Sequence, residues 1–201
     1  FRFDKNGDSM TKNKEILRQK FNLPKEDNKF ILGIVSRLSE QKGLDILMEA
    51  IGPMLDNFDF ELVVVGQGES KYMSFFSELE KNYPNIKTHL SYDAILPRFV
   101  FAGADAILIP SKFEPCGLTQ MEAMRYGAVP IVRKTGGLAD SVEDYNPTEQ
   151  TGTGFVFEKF DKYALFGTMI RALETYKYPK FWEGIQKRAM TANFSWSASA
   201  K

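Results

Sequence analysis

The stretch that decides the fold is residues 110–126, PSKFEPCGLTQMEAMRY. It follows the apolar run Ala106–Ile109, which favours a buried strand, and it leads into residues 118–126, whose composition favours a helix. A buried strand that ends in a polar turn and opens a helix is typical of a βα unit. Ligands of open α/β sheets bind at such turns, outside the carboxyl ends of the strands.

The turn of this unit has the features of an anion site. Gly117 lets the backbone approach a ligand closely because it has no Cβ. The free N–H groups near Leu118 and Thr119 are predicted to point at an anion, which the helix dipole would favour. Glu114 is predicted to lie on the loop, and Glu122 about one turn into the helix.

Apolar runs alternate with helical patterns along the whole chain. Because the predicted strands, of which residues 30–36 are a continuous apolar run, alternate with helices, they predict a doubly wound, mostly parallel, Rossmann-like α/β sheet. Ser70 and Asp161 are predicted to cap helices. We divide the chain into a linker and leading helix, residues 1–29, and one domain, residues 30–201. The predicted strands are residues 30–36, 60–65, 86–90, 106–109, 129–132 and 154–157.

The composition excludes several classes of function. The 26 Lys and Arg residues balance the 26 Asp and Glu residues, so charge gives no case for nucleic acid or an anionic membrane as a partner. No apolar run approaches the roughly 18 residues of a membrane span. The single cysteine, Cys116, forms no disulfide within the chain, which suits a reducing compartment. No spacing resembles a metal site. Neither end resembles a natural terminus, so we expect a longer protein.

A second turn carries two cations. Arg37 and Lys42 lie in SRLSEQKG, at the predicted carboxyl end of the first strand. Together with the helix N-terminus at Thr119, they are expected to face one crevice. Such a crevice suits a diphosphate, whose negative charge grows as a glycosyl bond breaks. An ordinary solvated basic turn is the alternative.

These motifs together resemble those of retaining, two-domain glycosyltransferases. The spacing of Glu114 and Glu122 is similar to their E-x7-E element, and FEPCGLTQ, RLSEQKG and VRKTGGLADSV resemble bacterial-type glycogen synthases and plant starch synthases. The resemblance implies the carboxy-terminal, nucleotide-sugar-binding half of a GT-B enzyme with two facing Rossmann-like domains. It implies transfer of glucose from ADP-glucose to the 4-hydroxyl of an α-glucan end, with retention.

The resemblance also implies roles for individual residues. Arg37 and Lys42 would hold the donor diphosphate, which Thr119 would also contact. Glu114 would orient the glucose hydroxyls and stabilise an oxocarbenium-like centre. Glu122 would reach the ribose hydroxyls if it follows the wider E-x7-E superfamily, whereas many glycogen synthases have another residue at this position.

The rest of the implied donor site lies around the nucleotide base and the sugar. Tyr92 would stack on the base, with Gly66 beside it, although an exposed turn tyrosine is the alternative. Cys116 is expected to be a small residue packed beside the sugar, whereas Gly117 and Leu118 are expected to contact the donor through their backbone. The glycines of KTGGL, residues 134–138, form either an amide nest near the phosphates or a structural turn. No cofactor is expected besides the donor ADP-glucose and its product ADP.

The implied partners are a nucleotide sugar and an α-glucan acceptor, in the cytoplasm or a plastid. The acceptor contacts and a further catalytic histidine would belong to a preceding domain, so this chain alone is predicted to be inactive. A glycosyltransferase with another nucleotide sugar and a lipid or small-sugar acceptor is one alternative. A non-catalytic nucleotide- or carbohydrate-binding module is another, which the combination of Arg37, Lys42 and Glu114 opposes.

Overall fold

Parallel strands form one sheet at the centre of the molecule. The computed structural model describes residues 8–24 and 29–194, and within these ranges the sheet has six strands in the order β3-β2-β1-β4-β5-β6. Every neighbouring pair is parallel. This is the strand order of the doubly wound Rossmann fold, as predicted. The strands are β1 Phe30–Val35, β2 Phe60–Val65, β3 Ile86–His89, β4 Ala106–Ile109, β5 Val129–Arg133 and β6 Phe155–Phe157.

Helices cover both faces of the sheet. Asp161 caps α7 as predicted, because its carboxylate accepts hydrogen bonds from the N–H groups of Tyr163 and Ala164. Ser70 is the first residue of α3 and not its cap; Glu69 occupies the cap position without a side-chain hydrogen bond. The helices are α1 Asp8–Phe21, α2 Leu44–Asn57, α3 Ser70–Asn82, α4 Leu96–Gly103, α5 Thr119–Tyr126, α6 Gly137–Ser141, α7 Lys162–Tyr176 and α8 Pro179–Thr191, with a 3₁₀ turn at Glu40–Lys42.

The two faces of the sheet bury separate cores. Leu32 and Ile34 of β1 join one core with α2, α3 and α7, whereas Ile31 joins the other with α1, α4 and α5. Because side chains alternate along a strand, a strand that is covered on both faces is apolar at nearly every position, and the exception in β2, Glu61, is paired with Arg18. This explains the uninterrupted apolar runs of the sequence.

Helix α1 packs on the sheet although it precedes residue 30. Leu17 and Phe21 lie in the second core. Arg18 Nη1 lies 2.6 Å from Glu61 Oε1 of β2, and the Glu61 side chain is fully buried. Lys14 Nζ lies 2.6 Å from Asp105 Oδ2. The leading helix is therefore fixed by both apolar and ionic contacts.

Replacing Arg18 by methionine is expected to lower the free energy of unfolding by about 3–5 kcal/mol, because it leaves the buried charge of Glu61 without its partner. Burial raises the pKa of Glu61 and Arg18 opposes this rise. A carboxyl group whose pKa is higher in the folded than in the unfolded state lowers the free energy of unfolding as pH rises from the unfolded-state pKa to the folded-state pKa. The loss in Arg18→Met should therefore be smaller near pH 5 than near pH 8.

Chemical denaturation at both pH values measures this effect. Lys81→Met removes an exposed pair with Glu78 and should change stability by less than about 1 kcal/mol. An Arg18→Met loss that is no larger than this control, or that shrinks as pH rises, would contradict the prediction.

Candidate functional site

An open cavity of about 620 Å³ lies at the carboxyl ends of β1, β2 and β3. Arg37, Gly66 and Tyr92 line it, so three predicted site residues from three different turns meet there. Tyr92 is 77% exposed, which leaves its ring accessible to a ligand. The volume is typical of a pocket for a small organic ligand.

A second group of predicted residues meets between the turn after β1 and the turn after β4. Lys42 Nζ lies 2.6 Å from Glu114 Oε2, and the two side chains are only 19% and 13% exposed. Ser111, which is fully buried, donates its hydroxyl to the same carboxylate oxygen at 2.9 Å. The pair joins residues 72 positions apart in the sequence. It places a cation and an anion side by side at the edge of the sheet where ligands bind.

The 3₁₀ turn holds the Glu114 loop through its backbone. Gln41 O accepts the N–H of Lys112 at 2.9 Å, and Gln41 Nε2 donates to Phe113 O at 3.1 Å. Gly43 has φ +71°, and a Cβ there would lie 1.9 Å from Pro110 O, so only glycine fits. Gln41 was not predicted as a site residue, although it is the middle residue of SEQKG.

Arg133, at the end of β5, holds the same loop from the other side. Its Nε donates to Ser111 O at 2.8 Å and its Nη2 to Lys112 O at 2.5 Å. A guanidinium group can bridge two carbonyl groups in this way because its donors have a fixed planar arrangement. Burial lowers the pKa of Arg133. Arg133 was likewise not predicted as a site residue, although it lies within VRKTGGLADSV.

The glycines of KTGGL pack against the Glu114 loop. A Cβ at Gly136 would lie 2.0 Å from Glu114 O, and one at Gly137 would lie 1.7 Å from Cys116 O. The N–H of Gly137 donates to Glu114 O at 3.0 Å and is therefore not free for a phosphate. Of the two alternatives for this motif, the structure favours the structural turn.

The N-terminus of α5 is open. Leu118 occupies the cap position, and no residue in the described ranges accepts a hydrogen bond from the N–H groups of Leu118 or Thr119. Leu118 is 70% exposed, and Glu122 lies exposed in the first turn. Gly117 has φ +64°. These positions match the predicted anion site, since unpaired N–H groups at a helix start attract negative charge.

The glycines after β2 have a packing role. A Cβ at Gly66 would lie 1.9 Å from Ser36 O, and one at Gly68 would lie 2.0 Å from Leu38 O. The two glycines thus let the turns after β1 and β2 touch, and Gly66 also lines the cavity. Arg37, in the first of these turns, is exposed, and its Nη2 lies 3.4 Å from Gln41 Oε1.

The described residues form neither a metal site nor a Cys–His pair. Cys116 is exposed and free, and His89 contacts Ser91, whose Oγ lies 2.9 Å from its Nε2. Within residues 8–24 and 29–194, no three His, Cys, Asp or Glu side chains are arranged to hold a metal ion. None of the helices in these ranges is both long and apolar enough to cross a membrane.

A family model described as glycosyl transferases group 1 matches residues 13–188. The chain belongs to this family. It is 42% identical over 189 residues to a glycogen synthase of Anoxybacillus flavithermus, covering 94% of this chain and 39% of the relative. It is 44% identical over 190 residues to a glycogen synthase of Fervidobacterium nodosum, again covering 94% of this chain and 39% of the relative. The chain thus spans about two fifths of the length of these relatives.

Solved structures extend the comparison. The catalytic domain of starch synthase IV from Arabidopsis thaliana, solved with ADP and acarbose, is 36% identical with a TM-score of 0.85, covering 95% of this chain and 40% of that one. The C-terminal domain of a group 1 glycosyl transferase from Francisella tularensis is 19% identical with a TM-score of 0.70, covering 94% and 95% of the two chains, and shares the fold. The predicted resemblance of this chain to glycogen and starch synthases, and its Rossmann-like α/β fold, are confirmed.

Proposed function

We propose that this chain is the donor-binding domain of a retaining glucosyltransferase that extends α-1,4-glucan from ADP-glucose. The observation that carries the proposal is the pair between Lys42 of the 3₁₀ turn and Glu114, on the loop that leads into α5. The N–H groups of Leu118 and Thr119 at the start of this helix have no acceptor among the described residues. Relatives named glycogen synthase, at 42% and 44% identity, and a starch synthase structure solved with ADP support this choice of donor.

The donor would lie along the carboxyl edge of the sheet. The cavity at β1–β3 is large enough for a nucleoside, and the exposed ring of Tyr92 offers a stacking face for its base, next to Gly66. The N–H groups of Leu118 and Thr119 would bind the diphosphate together with the two cations of the first turn, Arg37 and Lys42. Cys116, Gly117 and Glu122 belong to the same loop and helix, with Glu122 directed to the ribose hydroxyls.

The proposed transfer of glucose depends on the charges that develop as the donor bond breaks. When the bond between the glucose anomeric carbon and the diphosphate breaks, negative charge grows on the leaving ADP and positive charge on the sugar. Lys42 and Arg37 would stabilise the leaving group, and Glu114 would oppose the charge of an oxocarbenium-like sugar and orient its hydroxyls. Retention would follow from a front-side displacement in which the departing phosphate takes the proton of the acceptor hydroxyl. The chain supplies these charges from its own side chains, so we propose no cofactor besides the donor.

The acceptor side is proposed to lie elsewhere. An α-glucan would be held by a preceding domain that faces this one, with the enzyme working in the cytoplasm or in a plastid. The balance of 26 basic and 26 acidic residues gives no electrostatic support to a nucleic-acid or membrane partner.

A donor panel tests the proposal. The full-length enzyme is expected to transfer radiolabelled glucose from ADP-glucose to glycogen. Its kcat/KM for UDP-glucose should be lower, and it should transfer no glucose to a lipid acceptor.

Tyr92→Ala should weaken ADP-glucose binding about tenfold, whereas Tyr92→Phe should weaken it only slightly, because stacking keeps most of its free energy without the hydroxyl. Tyr163→Ala, another exposed tyrosine, is the control. A preference for another nucleotide sugar would favour the alternative glycosyltransferase, and equal effects of the two Tyr92 changes would contradict stacking.

A further inference from the structure

Gln120 lies in the first turn of α5, and its side chain is completely buried. Its Nε2 donates to Gly117 O at 2.6 Å and to Ser141 Oγ at 2.8 Å, with Gly137 O at 3.4 Å. Ser141 Oγ in turn donates to Gly137 O at 2.5 Å. Two of the three groups around the amide nitrogen are carbonyl oxygens, which only accept hydrogen bonds. The NH₂ group of Gln120 must therefore face Gly117.

This hydrogen bond determines the direction of a neighbouring N–H group. The peptide group between Gly117 and Leu118 is planar and trans, so its C=O and N–H bonds point in opposite directions. Gln120 draws the C=O inward at 2.6 Å, which turns the N–H of Leu118 away from Gln120. This N–H has no acceptor within the described ranges, and Leu118 itself is 70% exposed.

The peptide group needs such a restraint. Gly117 has φ +64°, and glycine has no Cβ to limit rotation about its backbone bonds. A Cβ at Gly117 would lie 2.7 Å from the amide atoms of Gln120, so the close contact itself depends on glycine. Without the amide donor, the carbonyl of Gly117 would be left without this partner, and a rotated peptide group would become competitive.

We propose that Gln120 is a positioning residue, which aims the Leu118 N–H at the diphosphate of the donor without touching the donor itself. This inference rests on the proposed function. It assigns Gln120 an effect on the diphosphate part of the ligand and none on the base and ribose part. A residue that merely stabilises the fold would weaken both parts equally.

The test compares ADP with adenosine by calorimetry or competition, using the full 201-residue chain. Gln120→Met removes the amide donors at similar volume, and Gln120→Asn keeps the amide on a side chain that is too short. For both variants we expect the Kd of ADP to rise about tenfold, as for the loss of one hydrogen bond to a charged group. The Kd of adenosine should stay within about twofold. Gln186→Met is the matched control, because Gln186 is also buried and its Nε2 donates at 2.9 Å to Gly127 O, at the other end of α5.

The outcomes distinguish a failure of the proposed function from a failure of the role of Gln120. If the unaltered chain does not bind ADP, the proposed function fails and takes this inference with it. If it binds ADP and the folded Gln120 variants keep its ratio of ADP to adenosine affinity, the inference alone is overturned. Parallel weakening of both ligands, or failure of both variants to fold, would assign Gln120 to stability only and would also overturn it. A Gln186→Met variant with the same ADP-specific loss would do so as well.

Discussion

Replacing Glu114 by glutamine in the full-length enzyme is expected to lower turnover by about 100-fold or more while changing ADP affinity little. The substitution keeps the volume of the side chain and removes the charge that we place opposite the developing positive charge of the glucose. ADP carries no glucose, so its affinity should not depend on the charge of Glu114. Lys42, which Glu114 holds at 2.6 Å, keeps its charge for the diphosphate.

The ion pair makes the two residues interdependent. Lys42→Ala should lower turnover at least about tenfold, because a hydrogen bond to a charged group contributes about 1.5–3 kcal/mol. Since each residue contacts the other, the double variant should lose less than the product of the two single losses.

Steady-state kinetics of the three variants, with ADP titrations, measure these effects. Glu49→Gln is the control, because it also neutralises an acid paired with a lysine, Lys162 at 3.0 Å, but on an exposed surface. A Glu114→Gln variant that loses ADP binding and keeps its turnover at saturating donor would place Glu114 away from the glucose. Additive losses in the double variant would show that Lys42 and Glu114 act independently.

The sheet could be predicted from the sequence because its signals are local. The inner strands β1, β2 and β4 are mostly apolar and buried, whereas the edge strand β3 is polar at three of its four positions, and a helix follows each of them along the chain. Alternation of such segments leaves few arrangements other than a doubly wound parallel sheet. The helix cap at Asp161 was equally local, whereas the error at Ser70 came from a backbone conformation that puts Glu69 at the cap position.

The turns of the site could be located from the sequence, but their contacts could not. Arg37 and Lys42 were assigned to the diphosphate, and the structure adds two features that the sequence did not indicate, the position of Arg37 at the cavity and the pairing of Lys42 with Glu114. Such a pair depends on the order and register of β1 and β4, which no periodicity within one segment records. The hydrogen bonds of Arg133 and Gln120 to the loop carbonyls depend on tertiary packing in the same way.

The glycines show a related limit. Gly66 was predicted to let a ligand approach, and the structure adds a second reason, its contact with the Ser36 carbonyl of the neighbouring turn. Gly136 and Gly137 likewise fit against the carbonyls of Glu114 and Cys116. A glycine in a turn permits a close approach of another backbone. Only the fold tells whether the approaching group is a ligand or another part of the chain.

The 201-residue chain alone is expected to fold and to bind ADP but to synthesise no glucan. Folding is expected because the described sheet has helices and an apolar core on each face. Binding is expected because the cavity with Tyr92, the Lys42–Glu114 pair and the open N-terminus of α5 all lie within this chain.

Catalysis requires more than these groups. The glucose must be closed off from water, and the acceptor hydroxyl must be held in line with the anomeric carbon, since positioning supplies much of the rate of a transfer between two substrates. The cavity is open, and the chain spans about 39% of the length of its glycogen synthase relatives. Calorimetry should therefore detect ADP binding, weaker than in the full-length enzyme. Incubation with radiolabelled ADP-glucose and glycogen should give no labelled glucan, while the full-length enzyme labels it under the same conditions. Labelled glucan made by the purified chain would show that one domain holds both substrates, and the two-domain mechanism would have to be abandoned.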